Sequence, residues 1–449
     1  MIFRARIVLP ISRPPIDNGA VEISGGRIVF VGSWDEITSR HDVVDLGESI
    51  LLPGLVNAHC HLDYTGLEGK IPPGAPFPDW IKLLIGLKNS WTEDDYRRSW
   101  LEGARMLAET GTTTVADIET VPAVLKDTLP IIPLRVYTFL EVLGPRNGPL
   151  SPDEILRQAL GAVPFPEAIH RQTALEDRRA PYAVGGVNPG WRFGLSPHAA
   201  YSTTPGLMEA CRKAAAVNGW RTTSHVSESE AEFEMFMHGR GPMYDWLKGQ
   251  RDMGDCGHGS PLRCYERSGL IGESFLAVHM NYLWHDDAGI LGRHRASVAH
   301  CPRSHRFFRH RSFPRRALEE AGVNICLGTD SLASVEEPRE GLTELSMFTE
   351  MRTMASWDTM ISAEDILRMA TINGAKALGL GGLIGEITPG GFADLIAIPC
   401  GEKSMAAYEA VVHHPGPVLG AMVGGRWVVP PLTEAGDPRA PLWAGAGGP

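Results

Sequence analysis

Eight short apolar runs alternate with longer helical stretches between Gly54 and residue 379, and this alternation restricts the chain more than any other feature. The runs are LVNAHCH, TTTVADI, LRVYTFLE, WRFGLSPH, RTTSHV, SFLAVHM, ASVAHC and VNICLGTD. Each is strand-like in length and composition. Between them lie segments of helical period such as TEDDYRRSWLEGARMLAET and FPRRALEEAG, the latter closing on a glycine where helices commonly stop. Strand and helix in alternation make parallel βα units, and eight of them predict an α/β chain folded as a (β/α)8 TIM barrel with insertions over residues 54–379.

The two ends read differently. FRARIVL, GAVEISGGRIVFVG and DVVDLGESILLP are short strand patterns with a Gly-Gly turn, and GEITPGGFADLIAIP and VLGAMVGGRWVV return to that pattern near the C-terminus. Residues 1–53 and 380–430 are therefore expected to form one small flanking β-sandwich lobe, followed by a loosely ordered Pro, Gly and Ala-rich tail over 431–449. A chain of 449 residues is long enough for such a barrel and lobe. Its formal charge of -11 argues against nucleic acid or an anionic membrane as partner, since both call for a basic surface. No apolar run is long enough to cross a bilayer, so a small molecule is the expected partner. Seven scattered cysteines and the lack of a continuous apolar segment at the N-terminus fit a reduced, cytoplasmic protein.

Six of the eight strands end in histidine or aspartate: His59 and His61, His198, His225, His279, His300 and Asp330. A single strand-end histidine is more often a packed core residue than a ligand. Six strands of one barrel, however, deliver their C-terminal ends to one floor, so these side chains are expected to meet in one pocket. Residues two apart in a strand share a face, which lets His59 and His61 of VNAHCHLDYTG converge on one point. Catalytic zinc takes imidazole nitrogen and carboxylate oxygen and keeps one position for water. His59, His61, His225 and Asp330 supply such a set. A coordinated water, its pKa lowered toward ~7, also needs a proton carrier. Glu228, three residues after His225 in SHVSES, stands where strand passes into helix; the plainer account of it is a first-turn acid favoured by the helix dipole.

Taken in order, PGLVNAHCHLD, GLSPHAAYS, SHVSESEAE, AVHMNYL, AHCPRSH and LGTDSLAS resemble the amidohydrolase superfamily. Within it they are similar to the mononuclear deaminases and chlorohydrolases that act on adenosylhomocysteine, guanine, triazines and aminodeoxyfutalosine. The resemblance covers nearly the whole chain, from LLPGLVNAHCH to AMVGGRWVV. It implies His59, His61, His225 and Asp330 as metal ligands, Glu228 as proton shuttle, and His279 as the group that positions water or substrate. It further implies His198 against the substrate ring and Asp330 as a second proton acceptor. No lysine stands where dinuclear members carry a bridging carboxylated one, so one Zn2+ is expected, with Fe2+ or Mn2+ as substitutes. The implied activity is hydrolytic deamination of an adenine-type nucleoside, such as aminodeoxyfutalosine or an adenosylhomocysteine or methylthioadenosine-like molecule. Dechlorination or amide cleavage on the same scaffold is the alternative. A non-catalytic scaffold is disfavoured because the ligand set is complete. A homodimer is the implied assembly.

FPDWIKLLI and TFLEVLGPR look closest to aminodeoxyfutalosine deaminases and make Trp80, Glu141 and Arg146 candidate substrate contacts, together with Ser331 of LGTDSLAS. The chain departs from relatives at His305, where asparagine usually follows CPRS, and after LGTDSLAS, where it continues VEEPREG. Both positions are expected to border the substrate. Arg303, Arg306, Arg309 and Arg311 form a basic cluster, read either as an anion site or, preferably, as a solvated loop. Cys256, His258 and Cys264 lack the spacing of a structural metal site, and a covering loop is the better reading of that segment.

Overall fold

The computed structural model describes residues 1–144, 148–170, 191–336, 343–400 and 406–431. Its first five strands are β1 (Ile2–Val8), β2 (Ile16–Ser24), β3 (Arg27–Ser33), β4 (Val43–Asp45) and β5 (Ser49–Pro53). Eight parallel strands follow: β6 (Leu55–Cys60), β7 (Thr112–Glu119), β8 (Arg135–Val142), β9 (Arg192–Pro197), β10 (Arg221–Val226), β11 (Phe275–His279), β12 (Ser297–His300) and β13 (Asn324–Leu327). They pair in chain order. Each apolar run of the sequence is one of them, because parallel strands covered on both faces are apolar along their length.

The barrel closes between its last and first strands. The backbone N–H groups of Thr329 and Asp330 donate to the carbonyl of His59 at 3.0 and 3.1 Å, and His61 N–H donates to the Asp330 carbonyl at 3.0 Å. Closure thus sets the His-x-His segment directly beside Asp330. Helices pack outside. The helix Glu93–Glu109 starts at a reciprocal cap, Thr92 accepting from the Asp95 N–H and Asp95 from the Thr92 N–H, and it buries Trp100, Ala104, Leu107 and Ala108 on one face.

The remaining strands are β14 (Leu395–Pro399), β15 (Gly420–Val423) and β16 (Arg426–Val429). They join β1–β5 in one mixed sheet ordered β16-β15-β14-β5-β1-β2-β3, with β4 on β1. Both chain ends therefore build the lobe. The sheet curls over its own core of Phe3, Val21, Leu51, Leu395 and Met422, so that Phe3 on β1 meets Trp427 on β16 with ring centroids 5.6 Å apart. A single sheet encloses this core in the way a sandwich does. Among the described residues no helix is long and apolar enough to cross a membrane. Apart from Pro431, the expected tail lies outside the described residues.

Candidate active site

Period-two geometry at the end of β6 places the His59 and His61 rings 5.0 Å apart, and β10 brings His225 to 5.0 Å from His59 and 5.3 Å from His61. One ligand atom from each of the three lies within 4.8 Å of the others. Nδ1 of His225 donates to the His198 carbonyl at 3.0 Å, which leaves its Nε2 a bare acceptor. That nitrogen faces His61 Nε2 at 3.2 Å. Two ligand nitrogens bound at ~2.0–2.1 Å to one tetrahedral ion stand roughly 3.3 Å apart, so the spacing is that of a shared cation.

Burial supports the same reading. Neither nitrogen of His59, nor Nδ1 of His61, has a hydrogen-bond partner among the described residues, and buried polar atoms are rarely left so. Asp330 Oδ1 approaches His59 Nε2 and His61 Nε2 at 3.7 and 3.9 Å. Burial holds the His61 and His225 rings well below the usual imidazole range, in the neutral form that coordinates metal. Burial works against ionising Asp330, but the close approach of His59 and the neighbouring histidines holds its carboxyl well below the usual carboxylate range. Three imidazoles and one carboxylate fit a divalent ion of the zinc type.

Several residues that hold this set were not singled out in the sequence. Asn57, on the same strand face as His59, donates to Thr329 Oγ1 at 2.7 Å and accepts from the Thr329 N–H at 3.1 Å, tying first strand to last. Asp117, near the end of β7, accepts from the Leu62 N–H at 3.0 Å and from Trp100 Nε1 at 2.8 Å, fixing the chain just beyond His61. Tyr265 donates its hydroxyl to the His225 carbonyl at 2.9 Å, and Ser334 Oγ donates to Asp330 Oδ2 at 3.0 Å. A polar side chain within an apolar strand was the one signal for Asn57 and Asp117. Gly328 lies so close to β6 that a Cβ there would stand 2.7 Å from the His59 carbonyl oxygen. Gly328→Ala is expected to displace His59, costing about 1–3 kcal/mol of stability and weakening metal binding. Thermal melts and zinc titration check this, and a wild-type result in both would contradict it.

A second group of donors, Glu228, His279 and Asp330, also lies within 4.8 Å. His279 Nε2 is 3.6 Å from Glu228 Oε1 and has no hydrogen-bond partner among the described residues. Burial, then the charges of Asp330 and Glu232, hold the Glu228 carboxyl well above the usual carboxylate range. Ser227 (φ 51°), His279 (φ 76°), Met280 (φ 49°) and Asp330 (φ 54°) all adopt the left-handed conformation, in which non-glycine residues are uncommon. Such strain is kept only where surroundings impose it. Here it falls on the strand ends that carry the site.

The other candidates divide. Glu141 Oε1, buried and unpartnered among the described residues, faces His198 Nε2 at 3.7 Å. Burial, then the charges of Lys88 and His59, bring the His198 pKa down to about 3, so the ring is neutral. Lys88 donates to the Tyr64 hydroxyl at 2.9 Å, and Tyr64 stacks on His61 at 4.8 Å, so Glu141, His198, Lys88 and Tyr64 form a polar wall next to the histidine group. Trp80 packs against Phe77 and Phe308 and donates Nε1 to the Ala333 carbonyl. Ser331 is buried beside Ser334. Arg146 lies outside the described residues.

Three expectations change. His300 does not join either donor group; its ring stacks on Phe313 with centroids 3.8 Å apart. His305 is buried with both nitrogens engaged inside the protein, Nδ1 with Asn281 Oδ1 at 2.9 Å and Nε2 with the Arg311 carbonyl at 2.6 Å. Of the basic cluster, Arg306, Arg309 and Arg311 are solvated as expected, and Arg303 is not. Arg303 is buried against Glu350, Arg306 and Arg311 pair with Glu336 and Glu230, and Arg309 lies over Gly74. In the Cys256 segment, His258 is exposed, and no metal-binding group is formed there among the described residues.

The sequence profile described as the amidohydrolase family matches residues 50–428. A 5-methylthioadenosine/S-adenosylhomocysteine deaminase of Syntrophobacter fumaroxidans is 29% identical over 398 residues, covering 85% of this chain and 80% of that relative. Among solved structures, an adenosine deaminase from Xanthomonas campestris with bound zinc is 25% identical, with a TM-score of 0.75 over 95% of this chain and 92% of that one. Helicobacter pylori aminofutalosine deaminase in complex with methylthio-coformycin is 20% identical with a TM-score of 0.78, covering 95% of this chain and all of that one. An atrazine chlorohydrolase from Arthrobacter aurescens complexed with zinc is 20% identical with a TM-score of 0.74, over 95% and 94%. Since the profile runs from β5 of the lobe through the whole barrel to β16, the chain belongs to the amidohydrolase family.

Proposed function

We propose that this protein is a zinc-dependent hydrolytic deaminase of an adenine-type nucleoside, with aminodeoxyfutalosine and adenosylhomocysteine or methylthioadenosine-like molecules as the favoured substrates. The observation that carries this reading is the pair of donor groups meeting at Asp330, three imidazoles on one side and Glu228 with His279 on the other. The methylthioadenosine and adenosylhomocysteine deaminase relative, and the adenosine and aminofutalosine deaminases of like fold, support it.

Held by His59, His61, His225 and Asp330, a zinc ion would supply the Lewis acidity that makes water nucleophilic at neutral pH. The protein's own groups do the rest. His279 Nε2 orients the attacking water or the substrate. The environments of the two carboxyls push their pKa values apart, Glu228 upward and Asp330 downward, and such a division assigns roles. Asp330 stays ionised as a ligand and accepts a proton only in passing. Glu228 takes one proton of the attacking water and gives it to the ring nitrogen beside the amino-bearing carbon. As the new C–O bond forms and the C–N bond breaks, the second proton passes by way of Asp330 to the departing amine, and ammonia leaves.

Glu141 is proposed to bind a polar group of the substrate beside His198. Glu141→Gln is expected to raise KM about tenfold while kcat stays within about threefold, as loss of a binding interaction does. Steady-state kinetics test this; a fall in kcat at unchanged KM would contradict it. A cytoplasmic location is part of this proposal; among the described residues no cysteine is in a disulfide, as a reducing compartment requires.

The test of the reading is ammonia release by zinc-loaded protein on aminodeoxyfutalosine, adenosylhomocysteine, methylthioadenosine, adenosine, guanine and cytosine. Turnover of one adenine nucleoside well above the others is expected. Chloride release from a chlorinated triazine, with no ammonia from any nucleoside, would replace deamination by dechlorination.

A further inference from the structure

We propose that His305 is a positioning residue, acting through Asn281 to fix the backbone of Glu228. This rests on the reading of Glu228 as the proton carrier. Glu228 sits in the turn after β10, outside any strand or helix, so its place depends on side chains. Glu232 accepts from the N–H groups of Glu228 at 2.7 Å and Ser227 at 3.3 Å. From the other side Asn281, in the loop after β11, donates Nδ2 to the Glu228 carbonyl at 2.9 Å, and its backbone N–H donates to the Ser227 carbonyl at 3.1 Å. The turn between them contains Ser227 in the left-handed conformation and has no ladder to hold it.

Asn281 is itself held by one contact from β12's side of the barrel. Its Nδ2 must face the Glu228 carbonyl, so its Oδ1 faces His305 Nδ1 at 2.9 Å, and that ring nitrogen carries a hydrogen. His305 Nε2 meets the Arg311 carbonyl at 2.6 Å. Two acceptors on one ring favour its doubly protonated form, against burial, which pulls its pKa down to about 4. The rings of His300, His310, Phe313 and Trp357 surround it and fix its orientation. The short helix after β12 (Pro302–Phe307) is thus joined through His305 and Asn281 to the turn that carries Glu228. Misplacing a reacting group by about 1 Å can cost on the order of 10²-fold in rate, so a buried chain of this kind reaches catalysis without touching substrate.

The test is a double-mutant cycle in zinc-loaded protein. His305→Phe keeps an aromatic ring in its cage and removes both hydrogen bonds, and Asn281→Ala removes the link to Glu228. Each is expected to lower kcat about 10- to 100-fold, with KM within about threefold and zinc still at one equivalent. The double variant should be no slower than Asn281→Ala alone, because the residues act in series. His305→Gln, which keeps a donor toward Asn281, should recover most of kcat. Wild-type kcat in His305→Phe or Asn281→Ala, multiplying losses in the double variant, or a raised KM at unchanged kcat would each overturn the proposal. If His305→Phe does not fold, the contrast between His305→Gln and Asn281→Ala decides, and equal losses there overturn it. Glu228→Gln separates this failure from that of the underlying reading. An active Glu228→Gln removes the role of Glu228, whereas an inactive one beside an unaffected His305→Phe removes only the positioning.

Discussion

Glu228→Gln is expected to bind one equivalent of zinc and to lower kcat by about 10²–10⁴-fold, the range over which a positioned proton carrier acts. Gln preserves the shape of the side chain and the backbone bonds to Glu232 and Asn281, which involve the N–H and C=O of residue 228 rather than its carboxyl. What it removes is a titratable group that burial and two neighbouring carboxylates hold well above its ordinary pKa. A carboxyl can take up and release a proton, and an amide cannot exchange one at all. Zinc content and single-turnover kinetics read the two effects separately. Loss of zinc in this variant would make Glu228 a ligand, and retained turnover would end its role as shuttle.

Asp330→Asn is expected to damage both metal binding and turnover. The carboxylate stands at the seam where the barrel closes, its backbone bonded to His59 and His61 and its Oδ1 facing both rings. Asparagine keeps that backbone but offers a neutral oxygen to the cation. Even outer residues that orient a ligand are worth about 10–100-fold in metal affinity, so replacing the ligand itself should exceed that. Turnover should fall with it even when the site is saturated by excess zinc, since the variant cannot carry the second proton. Zinc affinity by chelator competition and kcat at saturating zinc test the two halves. Near-normal values of both would remove Asp330 from the site.

The barrel was legible because its strands are enclosed on both sides and so write continuous apolar runs, each ending where a side chain turns into the mouth. His59, His61, His225, His279 and Asp330 could be read from those ends. His300 shares their position in the chain but not their surroundings, since the Phe313 ring that captures it comes from a loop beyond the strand. His305 shows the same limit. Its partner Asn281 lies 24 residues away in a loop, and no periodicity records a bond between that loop and the short helix carrying His305. The Arg303 pairing with Glu350 is hidden for the same reason, so a buried ion pair looked like part of an exposed basic run. Conversely Asn57 and Asp117 lay in plain view as polar residues within apolar strands, and only closure of the barrel distinguishes residues that hold the donor groups from the donors themselves.

The most direct measurement is a titration of metal-free protein with zinc, following bound zinc and ammonia release from an adenine nucleoside in the same samples. Activity is predicted to rise linearly with bound zinc and to level off at one equivalent. Deamination by the metal-free protein, or zinc bound at one equivalent with no ammonia from any aminated ring, would contradict the account.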